Sequence, residues 1–145
     1  MSQYQLDTTS LANAIAQLKD SLEYCNKDEV KANKRLEILL RAAAIQAFEY
    51  TYELSWKMLK RYLDMSLPDP HETESISFNH LIRTGCEQGL LLSDVAQWKQ
   101  FRHNRSITSH TYDQEKAIEV FAQIPAFLEE AQYLLQQLNK KASET

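Results

Sequence analysis

The chain has 145 residues, a formal net charge of −4, and only two glycines and three prolines. Its length suits one domain, residues 1–145, that buries its own core. Few helix breakers among abundant Ala, Leu, Glu, Gln and Lys point to an all-α protein. Overall acidity argues against a protein that coats duplex nucleic acid, although a local basic island can still hold a phosphate. Cys25 and Cys86 stand apart, without CxxC spacing or a secretory leader, so neither a disulfide framework nor a zinc site is indicated. The polar start "MSQYQLDTTS" and the lack of any apolar run of membrane-spanning length read as a soluble, cytoplasmic chain with no membrane partner.

In chain order, "LANAIAQLKDSLEYC" places Leu11, Ile15, Leu18, Leu22 and Cys25 at alternating steps of four and three, one buried helical face. A long second helix is expected from Lys31 to Leu67, with a stripe through Leu36, Leu40, Ala43, Ala47, Thr51, Leu54, Met58 and Tyr62. Its apolar surface is wider than one face, which suits a central helix or one that also lines a subunit interface. "SLPDPHETES", with Pro68 and Pro70, reads as a loop. Ser75 or Ser77 is expected to cap a short helix carrying Phe78, Leu81 and Ile82, which Gly89 closes in the left-handed conformation. Ser93 is expected to cap a segment holding Val95, Trp98 and Phe101. A capping box, Thr111 with Gln114, opens a final helix whose stripe runs Ala117, Phe121, Ile124, Leu128, Ala131, Leu135 and Leu138, with a kink expected at Pro125. The last residues, "KKASET", read as a frayed tail. The sum is an antiparallel four-helix up-and-down bundle with an additional short helix.

"FRHNRSITSHTY", Phe101 to Tyr112, stands out because it gathers two arginines, two histidines and several hydroxyls, and no acid occurs between Asp94 and Asp113. If the fourth helix continues through Ser109, then Arg102, Ser106 and His110 succeed one another a turn apart. Arg105 lies off to the side on a stem long enough to reach the same cleft. A near-neutral imidazole takes a proton from a ribose hydroxyl and a guanidinium holds the charge of a phosphorane, which together give metal-independent RNA cleavage. One chain supplies one such histidine, so a symmetric dimer would complete an acid and base pair. The bland alternative is that cations merely close a helix C-terminus and Thr111 caps the next helix.

Other signals are weaker. His71, His80, His103 and His110 show no metal-ligand spacing, so no metal site is expected. Glu49 and Glu53, one turn apart, read as a solvated face or as ion-paired neighbours of the core. Trp56 with Tyr50, Tyr52 and Tyr62 offers rings to stack a base, though aromatics at helical spacing usually form core.

Two stretches, "IQAFEYTYELSWKMLKRYL" (Ile45 to Leu63) and "RSITSHTYD" (Arg105 to Asp113), resemble the nucleotidyltransferase substrate-binding protein family, a branch of the HEPN helical bundles. The resemblance covers most of the chain. It implies an all-α partner of a minimal nucleotidyltransferase, forming a homodimer within a hetero-oligomer. The partner would carry the catalytic carboxylates, the ATP or other nucleotide and the Mg²⁺, and this chain no cofactor of its own. The Gly-Ser and paired-Asp pattern of such a catalytic subunit is absent from this sequence.

The wider HEPN group carries Arg, four residues, then His, a motif associated with ribonuclease activity. Toxin-like members add a Tyr two residues later that receives AMP from the partner. Arg105, His110 and Tyr112 match those positions, while Ser106 stands where Asn or Asp is common. The resemblance therefore implies Arg105 and His110 as catalytic, Tyr112 as a modification site, and RNA or a nucleotide as a further ligand. Arg102, Ser106 and Ser109 are the expected phosphate or nucleotide contacts. Three readings stand side by side: a binding subunit of a two-component transferase, a metal-independent ribonuclease toxin, and a dimeric scaffold in which these residues only cap helices.

Overall fold

The structure, a computed structural model, describes residues 6–66 and 77–144. It is an all-α bundle, with no strand among the described residues. The helices are α1 (Thr9–Cys25), α2 (Asp28–Lys31), α3 (Lys34–Ser66), α4 (Phe78–Glu87), α5 (Val95–Ser106) and α6 (Gln114–Ser143), with a 3₁₀ turn at Thr108–His110 between the last two. The four longest are α1, α3, α5 and α6. α1 packs on α3 and α6, α5 packs on α6 and α3, and α4 rests on α5 and α3.

α1 buries the five residues of its expected stripe. The long second helix is corrected at its start: a separate single turn, α2, seats Val30 in the core, and α3 begins only at Lys34. Its buried face is also rotated from the expected one. Ala44, Ile45, Ala47, Phe48, Thr51, Tyr52, Ser55, Met58, Leu59 and Leu63 are buried, whereas Ala43 is exposed and Leu40, Leu54 and Tyr62 are half-buried. Ser55, outside the expected stripe, enters the core because the helix backbone satisfies its hydroxyl, as it does that of the expected Thr51. Thr51 Oγ1 donates to Ala47 O at 2.8 Å, and Ser55 Oγ to Thr51 O at 2.7 Å.

The expected loop at Pro68 and Pro70, with Ser75, lies outside the described residues. Ser77 is the cap of α4, accepting from the His80 amide at 3.2 Å. Gly89 holds φ +74°, the left-handed conformation that ends this helix. Gly85 is demanded by proximity: a Cβ there would meet Leu91 Cδ1 at 2.9 Å and Leu59 Cδ1 at 3.2 Å.

Asp94, not Ser93, caps α5, its carboxylate accepting from the Gln97 amide at 3.0 Å. Asp113, not Thr111, caps α6, accepting from the Glu115 amide at 3.0 Å. The Thr111 hydroxyl is engaged otherwise, donating to Thr108 O, and the Ser93 carbonyl accepts the Cys86 thiol. α6 runs unbroken through Pro125 to Ser143, so Lys140 to Ser143 are helical rather than frayed. Its buried face is Ala117, Val120, Ile124, Phe127, Glu130, Ala131, Leu134 and Leu138, with the expected Phe121, Leu128 and Leu135 half-buried at its edge.

An aromatic cluster holds α3, α5 and α6 together. Phe127 contacts Phe48, Tyr52, Trp98 and Phe101 at centroid separations of 5.2, 5.9, 6.0 and 5.1 Å. Most of these meet edge to face, the arrangement favoured by ring quadrupoles. This cluster fixes the rotation of α5, and with it the direction of every charged side chain on that helix.

Candidate functional site

α5 buries Trp98, Phe101 and Asn104, successive steps of three residues that face the core. Arg102, Arg105 and Ser106 are thereby turned toward α3 and α4. The helix ends at Ser106 and does not run on through Ser109, which corrects the expected succession of Arg102, Ser106 and His110 along one face. Hydroxyl side chains end it: Ser106 Oγ donates to His103 O at 2.6 Å and Thr108 Oγ1 to Arg105 O at 2.8 Å, competing for carbonyls that another helical turn would use.

Arg105 is the centre of a charged bridge. Its Nε lies 3.2 Å from Glu53 Oε1 and its Nη1 lies 3.8 Å from Glu49 Oε2, while Nη1 donates to Thr108 Oγ1 at 3.1 Å. The Nε contact is off the line a hydrogen bond needs, so the pairing with Glu53 is Coulombic. Glu53 also accepts the Trp56 indole N–H at 3.3 Å and approaches Lys57 Nζ at 4.0 Å. The acids missing from the basic segment are thus supplied across the groove by α3, one helical turn apart.

A cleft of about 410 Å³ opens beside this bridge, lined by Tyr52, Glu53, Trp56, Lys60, Phe78, Leu81, Arg102, Arg105 and Ser106. The Arg102 guanidinium lies over the Phe78 ring at 4.7 Å from its centroid, a cation–π contact. Tyr52 forms the inner wall. Burial pushes its hydroxyl up to about 12, the nearby Arg102 pulls it back, Glu53 adds to the rise and Arg105 counters it. A smaller recess of about 380 Å³, lined by Glu49, Tyr50, Glu53, Leu54 and Arg105, lies on the other side of the bridge. Arg105 lines both.

Ser109, His110 and Tyr112 line neither. All are exposed on the turn after α5, and Tyr112 at 81 % is the most open of the exposed large apolar side chains. The His110 and Tyr112 rings meet at 6.2 Å with planes 71° apart. Among the described residues, no hydrogen bond or ion pair joins Arg105 to His110. The structure therefore brings Arg102, Arg105 and Ser106 to one cleft, and sets Ser109, His110 and Tyr112 on the adjoining surface.

Sequence reasoning left Glu49 and Glu53 as a solvated or ion-paired face and did not connect them to Arg105. The signal was present: an acid pair one turn apart on the longest helix, in a chain whose most basic stretch has no acid of its own. Thr108, which clamps Arg105 at both its guanidinium and its carbonyl, carried no such signal. Among the described residues no group of three or more His, Cys, Asp or Glu is placed to hold a metal ion, and no helix is long and apolar enough to cross a membrane.

Comparison with known proteins agrees with this architecture. The chain is 45 % identical over 102 residues to the probable ribonuclease HepT of Haemophilus influenzae, covering 70 % of this chain and 69 % of that protein. A solved Haemophilus influenzae protein, described as having the fold of a substrate binding domain of a nucleotidyltransferase, superposes with a TM-score of 0.86 at 36 % identity, over 92 % of this chain and 99 % of the other. A Thermus thermophilus structure gives 0.66 at 30 % identity, over 88 % and 98 % of the two chains. Residues 6–140 match the family described as nucleotidyltransferase substrate binding protein like, and the chain belongs to that family.

Proposed function

We propose that this chain is the helical, substrate-side subunit of a two-component system whose catalytic nucleotidyltransferase is a separate protein, and that Tyr112 accepts AMP from that partner. The observation that carries the reading is Tyr112 itself, 81 % exposed on a turn and flanked by the His110 ring. An aromatic side chain so open to solvent contributes little to packing and is fully accessible to another protein's active site.

In the transfer, the Tyr112 oxygen attacks the α-phosphorus of ATP. The new O–P bond replaces the bond to the β-phosphate, pyrophosphate leaves, and the phenolic proton passes to solvent or to the adjacent imidazole. ATP and Mg²⁺ come with the partner. This chain contributes the acceptor, a turn whose one histidine neighbours it, and the groups of α5 alongside. The product places a phosphate diester beside His110, at the end of a segment with no acid between Asp94 and Asp113.

Co-purification with a minimal nucleotidyltransferase tests the partnership. A stable complex that alters transferase activity is the expected result, and two proteins that elute separately without affecting one another would end the reading.

A second reading, a metal-independent ribonuclease, is favoured by the HepT relative and by the Arg105 and His110 spacing. In it His110 exchanges the proton and Arg105 stabilises the phosphorane. Arg105 is drawn toward Glu49 and Glu53 within one chain, and a single histidine cannot be both acid and base in one turnover step, so this chemistry calls for a second copy facing the first. RNA cleavage by the purified protein that disappears in His110→Ala supports it; intact RNA, or a variant that cuts as well as wild type, removes it.

A further inference from the structure

The loop from Gln88 to Asp94, which joins α4 to α5, is clipped to both α4 and α6. The Cys86 thiol of α4 donates to Ser93 O at 3.2 Å, the Tyr133 hydroxyl of α6 donates to Gly89 O at 3.4 Å, and Glu130 Oε2, also on α6, accepts the Leu92 amide at 2.8 Å. Glu130 is 1 % exposed and is the only charged side chain among the buried described residues. Its Oε1 has no hydrogen-bond partner among the described residues, so the hydrogen bond that offsets taking this carboxylate out of water is the one from Leu92 N–H. Leu90 and Leu91 are buried beneath the loop, yet the Leu92 side chain is 56 % exposed. The fold thus fixes the backbone of a residue whose apolar side chain it leaves in solvent, which is how a preorganised anchor is built.

Leu92 stands at one end of α5 and the exposed turn with Tyr112 at the other. Between them α5 exposes Ala96, Lys99, His103 and Ser106, at steps of three and four that keep to one side of the helix. Of these, His103 lies 3.8 Å from Glu119 of α6, and Lys99 has no ion-pair partner among the described residues. We propose that the catalytic nucleotidyltransferase docks along this side of α5, with Leu92 seated in an apolar socket of the partner and Lys99 facing one of its acids. The inference rests on the partner reading and adds the surface which that reading uses. Two features select this occupant. The exposed side leads from a fixed apolar anchor to the residue offered for AMP transfer, and α5, 12 residues long, spans only about 18 Å, well within a standard interface of about 800 Å² per partner. It also carries cations and no acid of its own between Asp94 and Asp113, so it steers and orients a partner of opposite charge.

Calorimetric titration of the full chain with a minimal nucleotidyltransferase tests the surface, with circular dichroism confirming that each variant is folded. Leu92→Ser is expected to weaken the complex by about tenfold or more, the loss that follows when a central apolar anchor is removed. Tyr24→Ser, a control on α1 at 54 % exposure, should bind as wild type does. Lys99→Glu should weaken the complex at low salt, and its difference from wild type should shrink as salt rises. In AMP transfer, Leu92→Ser should raise KM for this chain and leave kcat near wild type, because the Tyr112 acceptor is intact. Leu92→Ser that binds the transferase as tightly as wild type, or that changes the oligomeric state of the free chain in place of the complex, overturns the proposal and leaves the partner reading standing. A wild-type chain that forms no complex removes both.

Discussion

The two halves of the basic stretch are built in opposite ways. From Phe101 to Ser106 the chain is helical, anchored by buried Phe101 and Asn104, and its Arg105 is fastened by two acids and a threonine. From Ser109 to Tyr112 it is an exposed turn, where the His110 and Tyr112 rings meet. The first half is a fixed electrostatic surface and the second is a presented one. One sequence motif thus spans two mechanical regimes, and the division falls at Thr108, whose hydroxyl ends the helix and grips the arginine.

The sharpest way to break that contrast is to loosen α5 itself. Trp98→Ala removes a fully buried indole from the cluster with Phe101 and Phe127 and is expected to cost about 3–5 kcal/mol, read by urea or thermal unfolding. If a variant so damaged still presented Tyr112 to the partner normally, the turn would not depend on α5 for its placement.

Alkaline titration separates the inner wall of the cleft from the surface. The Tyr52 hydroxyl ionises near 12 in the folded chain against 10 for an ordinary tyrosine, so folding favours the protonated form. Its contribution to stability is complete below pH 10 and is lost as pH rises toward 12. Tyr52→Phe should flatten that limb of the stability profile. An unchanged profile would mean that the hydroxyl is as accessible to solvent as it is in the unfolded chain.

Removing the bridge is expected to have a smaller effect. Arg105→Ala leaves Glu49 and Glu53 facing one another, but the three side chains are 33 %, 32 % and 35 % exposed and solvent screens them, so a loss of about 1 kcal/mol is expected. Adding Glu53→Gln should recover part of it, and a double-mutant cycle by chemical denaturation measures the coupling. Additive effects would show that the three side chains share no energy despite their proximity.

The exposed turn should show the smallest change of all. His110→Ala and Tyr112→Phe are expected to move stability by no more than about 0.5 kcal/mol, since neither side chain is buried. A larger shift would favour the scaffold reading, in which these residues hold helices together.

Much of the fold was legible because burial imposes period on sequence. Leu11 to Cys25 announced α1 residue by residue, and Trp98 and Phe101 marked the inner face of α5. What escaped notice had local causes. Ser55 is polar in sequence yet buried, because it returns its hydroxyl to its own helix at Thr51 O, and it lay outside the expected stripe of α3. Caps were misplaced by one or two residues where an acid and a hydroxyl compete, and the acid won at both Asp94 and Asp113. The residues of the site were visible as a charge pattern. Their division into a cleft and a turn was not, because it depends on a helix stopping at Ser106 through side-chain hydrogen bonds that periodicity does not register.

The central claim is that Tyr112 is presented to a partner enzyme while Arg105 and its acids stay fixed behind it. The intact mass of the chain after incubation with its nucleotidyltransferase, ATP and Mg²⁺ tests this most directly, with Tyr112→Phe and Glu53→Gln measured alongside. The account predicts a gain of AMP mass in wild type and Glu53→Gln that is absent from Tyr112→Phe. A gain that persists without the Tyr112 hydroxyl, or no gain although the two proteins form a complex, would contradict it.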